Sequence, residues 1–172
     1  MQPADSNNII VEYLNRSYLV TLPDGEISLR DSEAEIPPKD KILILHYLTM
    51  AKGTPITNKL ITYKQLPGGA GYFSAFSQRA TGPILKRFGK EPELLVDAAK
   101  KLGGYKARYG DVSMTINAFP RVPITMVLWR GDDEFAPGGN ILFDSSISDY
   151  LSTEDVAVLC ETVIWKLVRS SG

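Results

Sequence analysis

Apolar and polar residues alternate over "YLVTLPDGEISLR" (residues 18–30), and Pro23-Asp24-Gly25 breaks the run, which predicts two strands joined by a hairpin turn. A polar linker follows, and Pro37, Pro38 and Asp40 open "KDKILILHYLTMAKG". The "ILIL" run reads equally as a buried strand, but the proline pair before it and Gly53 after it favour a helix. "KLITYKQL" (59–66) predicts a short strand and "PGGAG" a turn. "YFSAFSQRATGPILKRFG" has helical spacing interrupted at Gly82-Pro83, where a second helical piece starts, since proline inside a helix costs about 3 kcal/mol. "EPELLVDAAKKLGG" predicts a helix with acids early, lysines late and glycines as its stop. Four strand-like runs come next: "YKARYG", "VSMTINAFP", "ITMVLWRGDD" and "NILFDS". In the closing "STEDVAVLCETVIWKLVRSS", Ser152 or Thr153 caps a helix whose apolar stripe is Val156, Leu159, Cys160, Val163, Ile164 and Leu167.

Strands that cluster, rather than alternate with helices, imply an α+β fold: an antiparallel sheet, made of an N-terminal hairpin plus a C-terminal meander, packed with several helices. A single domain spanning 1–172 is expected, with 1–10 as a flexible N-terminal segment.

Composition narrows the function by exclusion. A chain of 172 residues is long enough to bury a core without staples. With 19 basic against 20 acidic residues, a net charge of −1 gives no footprint for nucleic acid, and no basic run suggests a membrane surface. The apolar runs fall far short of the ~20 residues of a membrane span, and "MQPADSNN" lacks the layout of a signal peptide. These features point to the cytoplasm, in a prokaryote-like setting. One cysteine and one histidine rule out an internal disulfide, and a zinc or iron–sulfur site built by this chain alone. A metal held by it alone would be oxygen-ligated, and no spacing matches a calcium loop.

Nucleophilic hydrolysis would have to use His46 as its base, and no G-x-S-x-G elbow is present. Cys160 lies mid-stripe on an apolar helix face, where a thiol is ordinarily buried and inert. His46, inside "ILILHYLTM", is ordinarily a structural residue at a half-buried position; the sharper reading is an axial ligand to a haem or corrinoid, which needs only one protein ligand. Gly68 and Gly69, in "LPGGAGYFSAFSQR", either shape a tight turn or expose N–H groups to an anion at a helix start. Tyr72 and Arg79, seven residues apart on about the same helix face, would then flank one pocket.

Asp132, Asp133 and Glu134 follow directly on the strand carrying Trp129, and Arg130 shares a face with Asp132, which it would partly neutralise. Three acids in a turn are ordinarily just solvated. Asp144 ends the next strand beyond the Pro-Gly-Gly connection, and pairing of the two strands would bring it toward the acidic edge. Such a cluster could bind a divalent cation, accept protons or hold a basic group.

Taken together, "ILILHYLTMAKGTPITNKLITYKQLPGGAGYFSAFSQR" and "FPRVPITMVLWRGDDEFAPGGNILFDSSISDYLSTEDV" resemble an uncharacterised prokaryotic domain family common in anaerobes, some members of which are joined to iron–sulfur modules. The likeness runs from about residue 42 to 167, and transfers a fold and a setting but no reaction. Its pattern falls here on His46, Leu66, Pro67, Gly68, Gly69, Tyr72, Phe76, Arg79, Pro120, Arg121, Trp129, Asp132, Glu134, Phe135 and Asp144. That implies a shared pocket in redox or one-carbon metabolism, with any iron–sulfur centre carried by a partner redox protein.

The expected function is therefore a small-molecule or cofactor-binding accessory domain. Its pocket would lie between the His46 helix, the Gly68-Gly69 turn with Arg79, and the Asp132 to Asp144 edge; Arg79 and Arg121 would hold an acidic group, and Trp129 or Tyr72 would supply an apolar wall. The alternatives are a protein–protein interaction module and an enzyme using the carboxylate cluster.

Overall fold

Two antiparallel sheets and five α-helices make up the computed structural model, which describes the backbone of residues 2–5 and all of 7–172. The first sheet has the order β1 (Gln2–Asp5), β2 (Asn8–Tyr13), β3 (Arg16–Thr21) and β4 (Glu26–Leu29). The hairpin predicted around Pro23-Asp24-Gly25 is its β3–β4 half. The first ten residues, expected to be a loose lead-in, carry β1 and the start of β2; Met1 and Ser6 lie outside the described residues. β2 reverses into β3 through Leu14 and Asn15, both at positive φ (46° and 64°), the geometry of a two-residue hairpin turn. Leucine and asparagine advertise that turn far less than Asn-Gly would.

The second sheet has the order β5 (Leu60–Thr62), β9 (Gly138–Asp144), β8 (Val122–Trp129), β7 (Val112–Phe119) and β6 (Tyr105–Lys106). β8 is its central strand, buried without a break from Ile124 to Leu128. Its one polar residue in that stretch, Thr125, bonds to Thr115 of β7 at 2.8 Å, so neither hydroxyl is left unsatisfied. The two sheets are joined by Leu14 N–H donating to Ala118 O at 2.9 Å and by Tyr13 stacked on Phe119 at 4.7 Å; Phe119 stacks in turn on Tyr47, in the helix that follows the first sheet, at 4.3 Å.

Helix α1 (Pro38–Met50) begins at the proline pair, where the missing N–H costs no hydrogen bond. The strand expected over 59–66 is shorter, because after Thr62 the chain tightens into a 3-10 turn that delivers Tyr63 to the core, stacked on Phe76 at 4.0 Å. Helix α2 (Gly69–Phe76) starts inside the glycine run. A π-helical turn, Ser77–Thr81, connects it to α3 (Gly82–Phe88), whose second residue is Pro83. Helix α4 (Leu94–Lys100) leads back to β6, and α5 (Thr153–Ser170) closes the fold. Ser152 caps α5 by accepting from Asp155 N–H, and the whole predicted apolar stripe of α5 is buried. No described helix is long and apolar enough to cross a membrane.

Candidate functional site

Apart from Arg121, the residues singled out by sequence fall in three separate places. Trp129, Asp132 and Glu134 lie at the tip of the β8–β9 connection. Here Asp132 Oδ1 accepts from the N–H groups of Glu134 (2.8 Å) and Phe135 (2.7 Å), so this acid builds its own turn. Arg130, expected beside Asp132, pairs instead with Glu93. The tip carries exposed Phe135 and half-exposed Trp129 beside a shallow depression of about 430 Å³.

Asp144 lies at the other end of β9. Trp129 pairs with Gly138, whereas Asp144 pairs with Leu60, six residues further along. At about 3.3 Å per residue this separates it from the acidic tip by roughly 20 Å. The expected carboxylate cluster therefore does not assemble: antiparallel pairing sends the end of one strand away from the end of its neighbour. Asp144 is buried and accepts from Thr57 N and Oγ1, Asn58 N, and Ser146 N and Oγ, at 2.6 to 3.1 Å. Burial pushes its pKa up, but the hydrogen bonds from Ser146 and Thr57 overcome that and hold it below its ordinary value. Arg121 sits apart from both, at positive φ (63°) in the β7–β8 turn, where its guanidinium donates to Gly53 O. It does not join Arg79.

The third place is helical and gathers the rest. Asp40 of α1 faces Lys166 of α5, Lys39 faces Glu161, and His46 faces Asp155, so α1 runs antiparallel to α5. On the other flank Pro67 meets Thr153, Arg79 meets Glu161, and Arg87 meets Ser171, so α2 and α3 run parallel to it. The outer face of α5 is thus the floor of a groove with a helical wall on each side. Glu161 ties the walls together, with Arg79 at 3.0 Å and Lys39 at 3.5 Å. Burial raises its pKa, but the Arg79 hydrogen bond and the charges of Arg79 and Lys39 hold it below the ordinary glutamate value. Arg79 also donates to the Tyr72 hydroxyl at 3.3 Å, so the expected Tyr72–Arg79 neighbourhood is present. The π turn sets Arg79 in place; such turns recur at functional sites.

At one end of the groove His46 Nδ1 lies 2.9 Å from Asp155 Oδ1, with the ring half exposed and Nε2 as its remaining ring nitrogen. At the other end stands Trp165, which is 45% exposed and is the shared wall of two adjoining depressions. One, about 400 Å³, is lined by Lys39, Asp40, Glu161, Lys166 and Arg169; the other, about 580 Å³ and more apolar, by Gln78, Pro83, Lys86, Arg87 and Val168. Asp155 and Trp165 are ten residues apart, about 15 Å along α5. Gly68 (φ +72°) and Gly69 lie at the start of α2, and a Cβ on Gly69 would stand 1.9 Å from Tyr63 O, so that glycine is required by packing.

Sequence reading missed Trp165, Lys39, Lys166 and Arg169. The one signal for them was a tryptophan on the polar side of an amphipathic helix, with Lys166 next to it and Arg169 one turn further on. Among the described residues no group of three or more His, Cys, Asp or Glu is placed to hold a metal ion.

The family model described as "Domain of unknown function (DUF3786)" matches residues 2–166. No curated protein and no solved structure matches the chain.

Proposed function

The chain belongs to the DUF3786 family, a domain of unknown function, and we propose that the groove over α5 binds a small organic anion with a flat apolar body. The observation that carries this is Trp165, half exposed between the two depressions and bordered by five cations and two carboxylates. Both carboxylates are already engaged, Asp40 by Tyr13 and Lys166, Glu161 by Arg79 and Lys39. A flat ring over the indole would bury apolar area, and its anionic group would meet the surplus lysines and arginines. The accessory role in anaerobic redox or one-carbon metabolism, beside a partner redox protein, goes with this reading and is supported by the motif resemblance.

The test is a titration with 8-anilino-1-naphthalenesulfonate, a flat aromatic anion, followed by the dye's own fluorescence, with energy transfer from Trp165 in a Trp129→Phe background to locate it. Saturable binding is expected, weakened about tenfold by Trp165→Ala and weakened by added salt, since exposed charges are screened over about 10 Å at 0.1 M. Binding of equal strength in the Trp165→Ala protein would refute the assignment. The exposed Trp129 and Phe135 at the hairpin tip favour a second reading, an interaction module docking through that tip. A partner lost on Phe135→Ser but kept on Trp165→Ala would support it.

A further inference from the structure

We propose that the partly open chamber beside Asp40, which adjoins the Trp165 groove through Asp40 and Lys166, is a binding site for a small aliphatic α-amino acid. The chamber holds about 210 Å³ between the first sheet, the linker into α1 and the end of α5, and its walls include Leu14, Tyr18, Leu29, Ile36, Asp40 and Lys166. That is room for a molecule of a few heavy atoms.

Its polar groups are incompletely satisfied. The Asp40 side chain is only 3% exposed, and its Oδ1 accepts from the Tyr13 hydroxyl at 2.7 Å. Its Oδ2 accepts no hydrogen bond among the described residues; Lys166 Nζ stands 3.7 Å away, beyond hydrogen-bond reach. The Tyr18 hydroxyl likewise bonds to none of the described residues, although Tyr18 is buried. Buried donors and acceptors ordinarily have partners; here, among the described residues, the second Asp40 oxygen has only the charge of the partly exposed Lys166 beside it and the Tyr18 hydroxyl has no bond, so the ligand that completes them donates to the one and accepts from the other. Burial and the Asp40 carboxylate both push the Tyr18 pKa up, which keeps the phenol a donor.

An ammonium group fits the open oxygen of Asp40, and a carboxylate accepts from Lys166 and Tyr18. The remaining wall, Leu14, Leu29 and Ile36, is aliphatic and buried, which suits a branched or short alkyl side chain. A simple anion or cation fills one pole and leaves the other open. Arg16, at the rim, is engaged by Asp31 at 3.2 Å. Asp40 and Lys166 line the outer groove as well, whereas Tyr18 and Leu29 line the chamber alone, so Tyr18→Phe separates this site from the anion reading.

The experiment is calorimetric titration of the whole chain with L-valine, and in parallel with isobutyrate and isobutylamine, which carry one pole each. Valine should bind with one-to-one saturation and neither half-molecule at the same concentration. Tyr18→Phe should weaken valine about fivefold, the loss of one hydrogen bond to a charged group. Asp40→Asn should abolish it; because that change also alters the partner of buried Tyr13, Tyr18→Phe decides the matter if the asparagine variant does not fold. Trp165→Ala should leave valine binding unchanged. No binding at concentrations on the order of 10 mM, equal binding of isobutyrate, or an unaltered Tyr18→Phe protein would each overturn the proposal.

Discussion

Arg79 and Glu161, 82 positions apart in sequence, join the π turn to the floor of the groove by a hydrogen bond of 3.0 Å. With Lys39 on the opposite side, the glutamate offsets two cations that an anionic ligand would otherwise meet. Glu161→Gln should therefore raise the affinity for 8-anilino-1-naphthalenesulfonate about threefold at low salt, with the gain fading as salt screens the exposed charges. The same titration that tests Trp165 measures this. A lowered affinity would mean that Glu161 positions the binding surface rather than weakening its field.

Asp144 has a purely architectural position, and its substitution should be felt in stability alone. Asparagine keeps one acceptor and turns an amide toward Thr57, Asn58 and Ser146 donors, at a cost of about 2–3 kcal/mol in urea unfolding.

The same residue sets part of the acid limb. Its folded pKa lies below the unfolded one, so its contribution is complete above the unfolded carboxylate value, about pH 4, and is lost as pH falls through the folded value. Stability curves of wild type and Asp144→Asn should converge as pH drops below about 4, and parallel curves would contradict that assignment.

The two adjacent glycines at the start of α2 should respond unequally to alanine. Gly68 has a φ of +72°, which strains an L side chain but not glycine, and nothing lies within 4 Å of a new Cβ, so Gly68→Ala should cost about 1 kcal/mol. Gly69→Ala drives a methyl into the Tyr63 carbonyl and should cost about 3 kcal/mol or more. Urea midpoints of the two variants compare them directly.

Cys160 should be silent toward a thiol reagent such as dithionitrobenzoate in native buffer and titrate as one thiol in denaturant. It is buried, and burial pushes its pKa far above the ordinary thiol value, which withholds the reactive thiolate.

What periodicity and punctuation encode was legible in the sequence: α1 from its prolines, α5 from its stripe, the meander from three apolar runs. β2 was not, because its turn residues, Leu14 and Asn15, are atypical for the conformation they adopt. At the site, Tyr72 and Arg79 were recognised as neighbours because one helix and its continuation carry both. Asp144 was wrongly placed near Asp132 because a loop shows adjacency of strands but not which ends meet. Trp165, Lys39 and Lys166 went unnoticed because their grouping depends on how α1 packs on α5, and helix-against-helix register leaves no local trace.

The π turn at Ser77–Thr81 has a consequence for how this surface is inherited. A π turn accommodates one residue more than an α-helix would over the same span. A relative shortened by a single residue there would have a continuous helix, with α2 and α3 on either side left in place. Lys86 and Arg87 would keep their place beside Trp165, while Arg79, inside the turn, would lose the local geometry that brings it to Glu161. Length variation at this one point would thus split relatives into those that hold an arginine against Glu161 and those that do not, before any side chain there had mutated.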